Sequence, residues 1–308
     1  MATTDPFLKT QEVAQALGVS VSTIKRWVDA GAIEASKTVG RHRLIRLSEA
    51  LKFANRQKLP HDGLALFGGD VAARVLRIDD RAHHDLLQSL RHGASSRARQ
   101  IIGEAFDAGF GASAVGDQLI RPVMERLGHG WEAGVIDVYQ EHEATEIVSA
   151  ALREQVERTS CDERGAAPLA LGAAPEGDPY SLALMLGELV LREAGWNVRN
   201  LGTNLPLQSL GWAVRDHRPR LVFLSVNHLA SPARFASDYL KFSQTAAARG
   251  VAVMLGGRAL DPELRGQLVA ACFGERLAHL EEFARRLFPS SDGGARRIQP
   301  GTADTSNG

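Results

Sequence analysis

The chain holds no apolar run of about 18 residues, the length a helix needs to cross a bilayer, which argues against membrane insertion. Its opening stretch, MATTDPFLKT, lacks the basic segment and apolar core of a secretory signal. Cysteine is nearly absent. Cys161 and Cys272 are the only two in 308 residues, which argues against a disulfide framework and fits inert thiols in a reducing compartment. The expected location is the cytoplasm. Also missing is a GxGxxG fingerprint after the first strand-like run of the C-terminal part, which disfavours nicotinamide or flavin dehydrogenase chemistry.

What is present divides the chain. At 308 residues and 44% apolar content, there is enough to bury two or three separate cores. The formal net charge is zero, yet the first 60 residues carry ten Lys and Arg against five Asp and Glu, a local surplus of +5. A basic block on an otherwise acidic remainder points to an anionic partner for that block alone, nucleic acid foremost. The stretches QKLPHDGLALFGGD (57–70) and RTSCDERGAAP (158–168) break periodicity and read as linkers. The expected domains are therefore 1–58, 70–158 and 167–288, followed by a polar, Gly-rich tail (289–308) read as disordered.

Within the basic block, TQEVAQALGVSVSTIKRWVDAGAI reads as two short helices around a tight LGVS turn, with Thr10 and Ser20 as N-caps and Val13, Leu17, Val21, Ile24 and Trp27 as a shared core. A helix of this size fits the major groove, with Ser22, Thr23, Lys25 and Arg26 on the exposed face. SKTVGRHRLIRLSEALKFA follows as a hairpin turning at Gly40-Arg41 and a helix capped by Ser48. Arg41, His42 and Arg43 at the hairpin tip suit phosphate or minor-groove contact. On these features the first 60 residues resemble the winged helix-turn-helix domain of the MerR family of transcription regulators. That resemblance implies binding to a double-stranded DNA operator as a dimer or higher oligomer.

Residues 83–158 show apolar spacing for a four-helix bundle, with breaks near Gly93, Gly109–Gly111 and Gly128–Gly134 and with Ser95 and Ser113 as caps. Trp131 sits at a helix end among glycines, and Glu141 and His142 near the start of the last helix. Taken alone, the indole reads as core packing, and the Glu-His pair as a cap or surface charges as readily as a site. One His and one Glu are too few for a closed structural zinc site. After about residue 167 strand-like and helix-like segments alternate, the pattern of a doubly wound parallel sheet. Its ligand crevice would gather LGAAPEGD, LGTNLP, SVNHL and LGGR at the carboxyl ends of the strands.

Bundle followed by α/β domain resembles the cobalamin-binding module of corrinoid-dependent methyltransferases and their regulatory relatives. The spacing of Trp131 from Glu141-His142 is similar to that of light-responsive MerR-type repressors that carry adenosylcobalamin and control carotenoid genes. The resemblance implies that these three residues cover the upper face of the corrin, and that His142 takes the cobalt once light has broken the Co–C bond. It also implies ligand contacts from Asp178, Ser225, Gly256 and Gly257. One position departs from the family. Where Asp-x-His-x-x-Gly supplies a lower axial histidine, this chain has Asp178-Pro179-Tyr180-Ser181-Leu182-Ala183. A neutral phenol is a poor cobalt donor. Three readings stand open: cobalamin with water or nothing below the metal, another tetrapyrrole, or a scaffold without cofactor. His228 is a possible substitute ligand, though a loop histidine more often faces solvent.

The expected function is a non-enzymatic, DNA-binding transcription regulator, a repressor whose oligomeric state (dimer or tetramer) is set by the bound corrinoid. The alternative is a cofactor-independent MerR-type regulator that uses its C-terminal domains to oligomerise or to bind a protein partner. A corrinoid methyl carrier is disfavoured by the DNA-binding block and by Tyr180.

Overall fold

The computed structural model describes residues 5–37, 43–57, 59, 62–68, 77–159 and 167–288. The hairpin turn at Gly40-Arg41, with His42, and the 289–308 tail lie outside the described residues.

The N-terminal unit is built on β1 (Phe7–Lys9), α1 (Thr10–Ala16), α2 (Val21–Asp29), β2 (Ser36–Lys37), β3 (Arg43–Arg46), α3 (Leu47–Arg56) and α4 (Asp62–Ala65). Its strands form an antiparallel sheet in the order β1-β3-β2, with Phe7 opposite Arg46 and Ser36 opposite Leu44. The turn between α1 and α2 requires Gly18 at φ +64°, a conformation that glycine adopts without the Cβ penalty. Ile24 from α2 is fully buried, and the Trp27 ring packs 4.9 Å from that of Phe53 on α3. The same core takes in Leu64 from α4, within the stretch read as a linker, so packing runs past residue 58.

The capping expectations divide. The Ser20 hydroxyl accepts from Thr23 N at 3.1 Å, as expected. Thr10, however, is already helical: the Lys9 position caps α1, and Lys9 N donates to Glu12 Oε2 at 2.6 Å. Ser48 likewise lies inside α3. Its N–H and hydroxyl both donate to the Asp5 carboxylate, at 3.1 and 2.6 Å, so the cap comes from a residue far away in sequence. Ser95 and Ser113 also fall within their helices, after Ala94 and Gly111 at the cap positions.

The bundle comprises α5 (Asp80–Arg91), α6 (Ser95–Asp107), a continuous rod made of α7 (Ala112–Val115), a π-helical turn (Gly116–Ile120) and α8 (Arg121–Glu132), and α9 (Val138–Arg158). The breaks at Gly93 (φ +63°) and Gly109 (φ +91°) occur where expected. At the third, within Gly128–Gly134, α8 runs through Gly128 and Gly130 and stops after Glu132, with Gly134 at φ +68° in the turn that follows; buried Val123 and Leu127 anchor the helix's inner face. A glycine inside a helix costs only about 1 kcal/mol against alanine, which such packing offsets.

The C-terminal unit alternates β4 (Leu169–Ala173), α10 (Leu182–Glu193), β5 (Asn197–Asn200), α11 (Leu207–His217), β6 (Leu221–Ser225), α12 (Pro232–Ala247), β7 (Ala252–Gly256), α13 (Pro262–Gln267), β8 (Cys272–Gly274) and α14 (Leu277–Leu287). All five strands are parallel, in the order β5-β4-β6-β7-β8. Helices α11, α12 and α13 cover one face, and α10 and α14 the other. The bundle packs over that second face, so α10 is enclosed on both sides and carries the apolar run of Leu184, Leu186, Leu189, Val190 and Leu191.

Polar joints fix the units to one another. Glu193 Oε2, at the end of α10, accepts from Ala112 N at 2.8 Å, and the Asp117 carboxylate accepts from Leu277 N and Ala278 N, both at 3.0 Å. On the other side of the α6–α7 turn, Asn55 Nδ2 donates to Ala108 O at 3.2 Å. A Cβ on Gly109 would stand 2.5 Å from Arg56 N. The turn 108–112 thus touches both the N-terminal unit and the α/β unit.

Candidate nucleic-acid interface and cofactor rim

Helix α2 presents Ser22, Lys25 and Arg26 to solvent, with Thr23 half-buried. The hydroxyls of Ser22 and Thr23 lie 2.8 and 2.9 Å from Ser20 Oγ, so they belong to the network that closes the helix N-terminus. Lys25 and Arg26 are the exposed cations one turn further along. Arg43 is held back from the surface: its guanidinium donates to Asp29 Oδ1 at 2.5 Å and ties β3 to the end of α2. Asp29 was not singled out in the sequence, since nothing local links it to a residue fourteen positions on. Arg41 and His42 fall outside the described residues.

The second site is the carboxyl rim of the parallel sheet. Strand β4 pairs with both β5 and β6, so the chain leaves it in opposite directions on either side, and a crevice opens there. Asp178 sits in this crevice, fully buried, with three backbone donors on its carboxylate: Tyr180 N at 3.0 Å, Asn227 N at 2.5 Å and His228 N at 3.2 Å. It therefore ties the loop after β4 to the loop after β6. The LGTNLP loop joins the same assembly, for Asn204, at φ +55°, accepts from Gly177 N at 2.8 Å. The buried Ser225 hydroxyl accepts from Asn227 Nδ2 at 2.8 Å. Gly257, at φ +121°, has no room for a side chain, because a Cβ would stand 2.1 Å from Val226 O. Gly256 accepts from Val226 N at 2.7 Å, which extends the β6–β7 ladder to the rim. Tyr180 is 43% exposed, and the Arg258 guanidinium lies 4.7 Å above its ring while Arg258 Nε donates to Asn227 O at 3.3 Å. The sequence placed Arg258 and Asn227 at the rim as parts of LGGR and SVNHL, but not their contacts, which lie 78 and 49 residues away.

The bundle residues form a separate group. Helix α7 begins beside Glu193, near the amino ends of the strands. By Arg121, which donates to Glu275 O at 3.0 Å, the rod has passed the carboxyl end of β8. Trp131 lies ten residues further, about 15 Å at the usual helical rise, and so stands beyond the strand tips. It is 49% exposed rather than core, and Val135, Val138 and Tyr139 beside it are exposed too. His142 Nε2 is 3.7 Å from Glu141 Oε2, and Glu141 Oε1 also accepts from Thr145 Oγ1 at 3.3 Å. The structure thus gathers Trp131, Glu141 and His142 at one end of the bundle, and Asp178, Tyr180, Ser225, Gly256 and Gly257 on the rim. Among the described residues, no hydrogen bond, ion pair or ring contact joins the two groups. No group of three or more His, Cys, Asp and Glu suited to a metal ion occurs among the described residues, and no described helix is long and apolar enough to cross a membrane.

Comparison with known proteins runs along the same divisions. A helix-turn-helix domain matches residues 7–58, and two B12 binding domain models match residues 82–154 and 168–284. The HTH-type transcriptional repressor CarH of Myxococcus xanthus is 26% identical over 271 residues, 80% of this chain and 87% of that protein. The repressor CarA of the same organism is 36% identical over 121 residues, 39% of this chain and 40% of its own length. The monomethylamine corrinoid protein of Methanosarcina barkeri shares the fold with a TM-score of 0.58 at 17% identity, across 68% of this chain and all of its own. The chain is a homologue of the repressors CarH and CarA, with a helix-turn-helix domain followed by a helical and an α/β B12 binding domain.

Proposed function

We propose that the chain is a transcriptional repressor whose DNA binding is controlled by cobalamin, held as adenosylcobalamin between bundle and rim and released from its dark state by light. The carrying observation is the course of the α7–α8 rod, which takes Trp131 beyond the carboxyl ends of the strands on the side where a parallel sheet binds its ligands. Exposed there, the indole lies on a stretch that also exposes Val135, Val138 and Tyr139, and the His142 imidazole faces solvent beside Glu141. They fit a large flat ligand approached from the bundle side. Glu141, 3.7 Å from His142, is the carboxylate that would steady the imidazole when a cofactor is bound. Below, Asp178, Ser225, Gly256 and Gly257 shape the rim. Bound adenosylcobalamin would supply a carbon–cobalt bond that visible light breaks.

On the DNA side, Lys25 and Arg26 meet phosphate or base edges beside the Ser22 and Thr23 hydroxyls, while Arg43 positions the wing through Asp29. Arg41 and His42 complete the proposed contact surface. A +5 domain gives each protomer a modest, salt-sensitive affinity, so assembly into a dimer or tetramer raises occupancy through avidity. The cofactor shifts that assembly only by its differential affinity for the two states. The chemistry is that of a regulator without catalysis, in the cytoplasm where its operator is.

Full-length protein reconstituted in the dark with adenosylcobalamin is expected to co-elute with a corrin absorption band that changes on illumination. It should retain selected genomic DNA fragments in the dark and release them in light. A colourless protein after reconstitution removes the cofactor. DNA retention that ignores both corrinoid and light leaves the alternative, a cofactor-independent regulator.

A further inference from the structure

We infer that the amino edge of the α/β unit is a second DNA-contacting surface, where Arg199, Arg215, Arg218, Arg220 and Arg249 meet the phosphates of DNA held by the N-terminal unit. This rests on the DNA-binding reading above. It concerns the end of the sheet opposite the carboxyl rim.

The topology draws five guanidinium groups to that edge. Helices α11 and α12 run back from the rim, so their carboxyl ends, with Arg215 on α11 and Arg249 just past α12, arrive where the strands begin. Arg218 follows α11, and Arg220 leads into β6. The Arg220 N–H donates to Leu169 O at 2.8 Å and its carbonyl accepts from Ala252 N at 3.1 Å, which sets it between the starts of β4 and β7. On β5, Val198 joins the core on the α10 face, so the next residue, Arg199, points to the α11 face, where its Nη1 lies 3.2 Å from His217 Nδ1. All five arginines are exposed. The only carboxylate on β5, on α11 or in the turns after α11 and α12 is that of Asp216, so five arginines against one aspartate leave a surplus of +4.

Two observations set this edge apart from an ordinary charged surface. Elsewhere on the bundle and the α/β unit, Arg81, Arg153, Arg234 and Arg286 each pair with a carboxylate, whereas none of the five makes an ion pair among the described residues. Like charges left uncompensated attract an anion from outside. Arg218, moreover, stands at the C-cap of α11 with φ +48°, a left-handed conformation that glycine takes freely and a residue with a side chain takes at a cost. A helix C-terminus favours a cation, yet Arg199 and Arg220 stand at no helix end. Nucleic acid is the anion this placement favours. Helix α10 ends at the same edge, where Glu193 accepts from Ala112 N at 2.8 Å, and the 108–112 turn is held in turn by Asn55 of the N-terminal unit. The N-terminal unit is thus attached at the arginine end of the sheet.

The test measures how the affinity of the full chain for a random-sequence DNA duplex falls with salt. In the variant Arg215→Ala/Arg218→Ala/Arg220→Ala/Arg249→Ala, the slope of log affinity against log salt is expected to drop by about two to four ions, and Arg→Lys at the same four positions should keep it. The control Arg81→Ala/Arg153→Ala/Arg234→Ala/Arg286→Ala removes the same charge from paired positions and should stay near the parent's slope. An edge variant with the parent's slope overturns the inference and leaves DNA to the N-terminal unit alone, and a control that loses as much overturns it too. Loss of binding to polyglutamate with the DNA slope unchanged makes the partner an acidic protein, which also overturns it. A parent that holds no DNA overturns the DNA-binding reading itself. Arg218→Gly separates contact from folding: with the left-handed strain relieved, the urea midpoint should hold or rise while the slope falls by about one ion. An unchanged slope in that variant overturns the assignment of Arg218.

Discussion

Replacing Asp178 by alanine tests how the rim is held together. The carboxylate is fully buried and receives three N–H donors, of which those of Asn227 and His228 come from the loop after β6. Deleting it strands these two donors without an acceptor. Each buried polar group left unpaired costs about 1–3 kcal/mol, so the pair costs about 2–6 kcal/mol, with about 4 kcal/mol as the central value. At about 1.4 kcal/mol per factor of ten, that is nearly a thousandfold in the folding equilibrium of the α/β unit. With a urea slope of about 2 kcal/mol/M, the midpoint followed through buried Trp196 falls by roughly 2 M. Hydrogen exchange localises the effect. The amides of Asn227 and His228 are expected to lose protection while Val222 and Phe223 within the β4–β6 ladder keep theirs. Asp178→Asn, which retains one acceptor oxygen, should fall between the two. An alanine variant within about 1 kcal/mol of the parent at unchanged slope, with the two amides still protected, would refute the account of Asp178 as the tie between the loops.

Three further outcomes follow from the same geometry. Lys25→Ala and Arg26→Ala remove exposed cations from α2, so each should weaken DNA retention with little change in melting temperature, and a phosphate contact shows as a salt dependence lower by about one ion; an unchanged salt slope in both variants refutes their contact role. Gly109→Ala forces a side chain into φ +91° and against the Arg56 backbone, at a cost of about 1–3 kcal/mol, and should loosen the DNA-binding unit from the bundle, read as a larger radius of gyration by small-angle scattering. Burial, assisted by nearby Glu282, holds the Cys272 thiol above its ordinary pKa, so in a Cys161→Ser background its alkylation at neutral pH should run several-fold slower than that of a free thiol; reaction at the free rate contradicts that burial.

Much of this protein is written in local order. The basic block, the LGVS turn closed by Ser20, the alternation of strands and helices after residue 167 and the exposed position of Lys25 and Arg26 all follow from periodicity, turn chemistry and charge within a few residues. The sheet's ligand-binding rim was legible for the same reason, since parallel βαβ connections place successive loops at the carboxyl ends. What sequence distance concealed was the pairing. Ser48 reads as a cap until Asp5 arrives from the other end of the domain, and Arg43 reads as a free DNA contact until Asp29 claims it. The break expected within Gly128–Gly134 falls at the end of that range, after a helix that runs on to Glu132 and a turn at Gly134.

The chemistry of the rim was decided the same way. Sequence determined that a tyrosine, Tyr180, stands in the loop after β4, and that Trp131, Glu141 and His142 stand at a bundle end. Only the tertiary structure spent Asp178 on backbone amides 49 and 50 residues away and laid Arg258 over Tyr180, and only it sent Trp131 past the strand tips. Hydrogen bonds and cation–π contacts are short-ranged, so their partners are fixed by where the folded chain brings them and leave no trace in the spacing of residues along it.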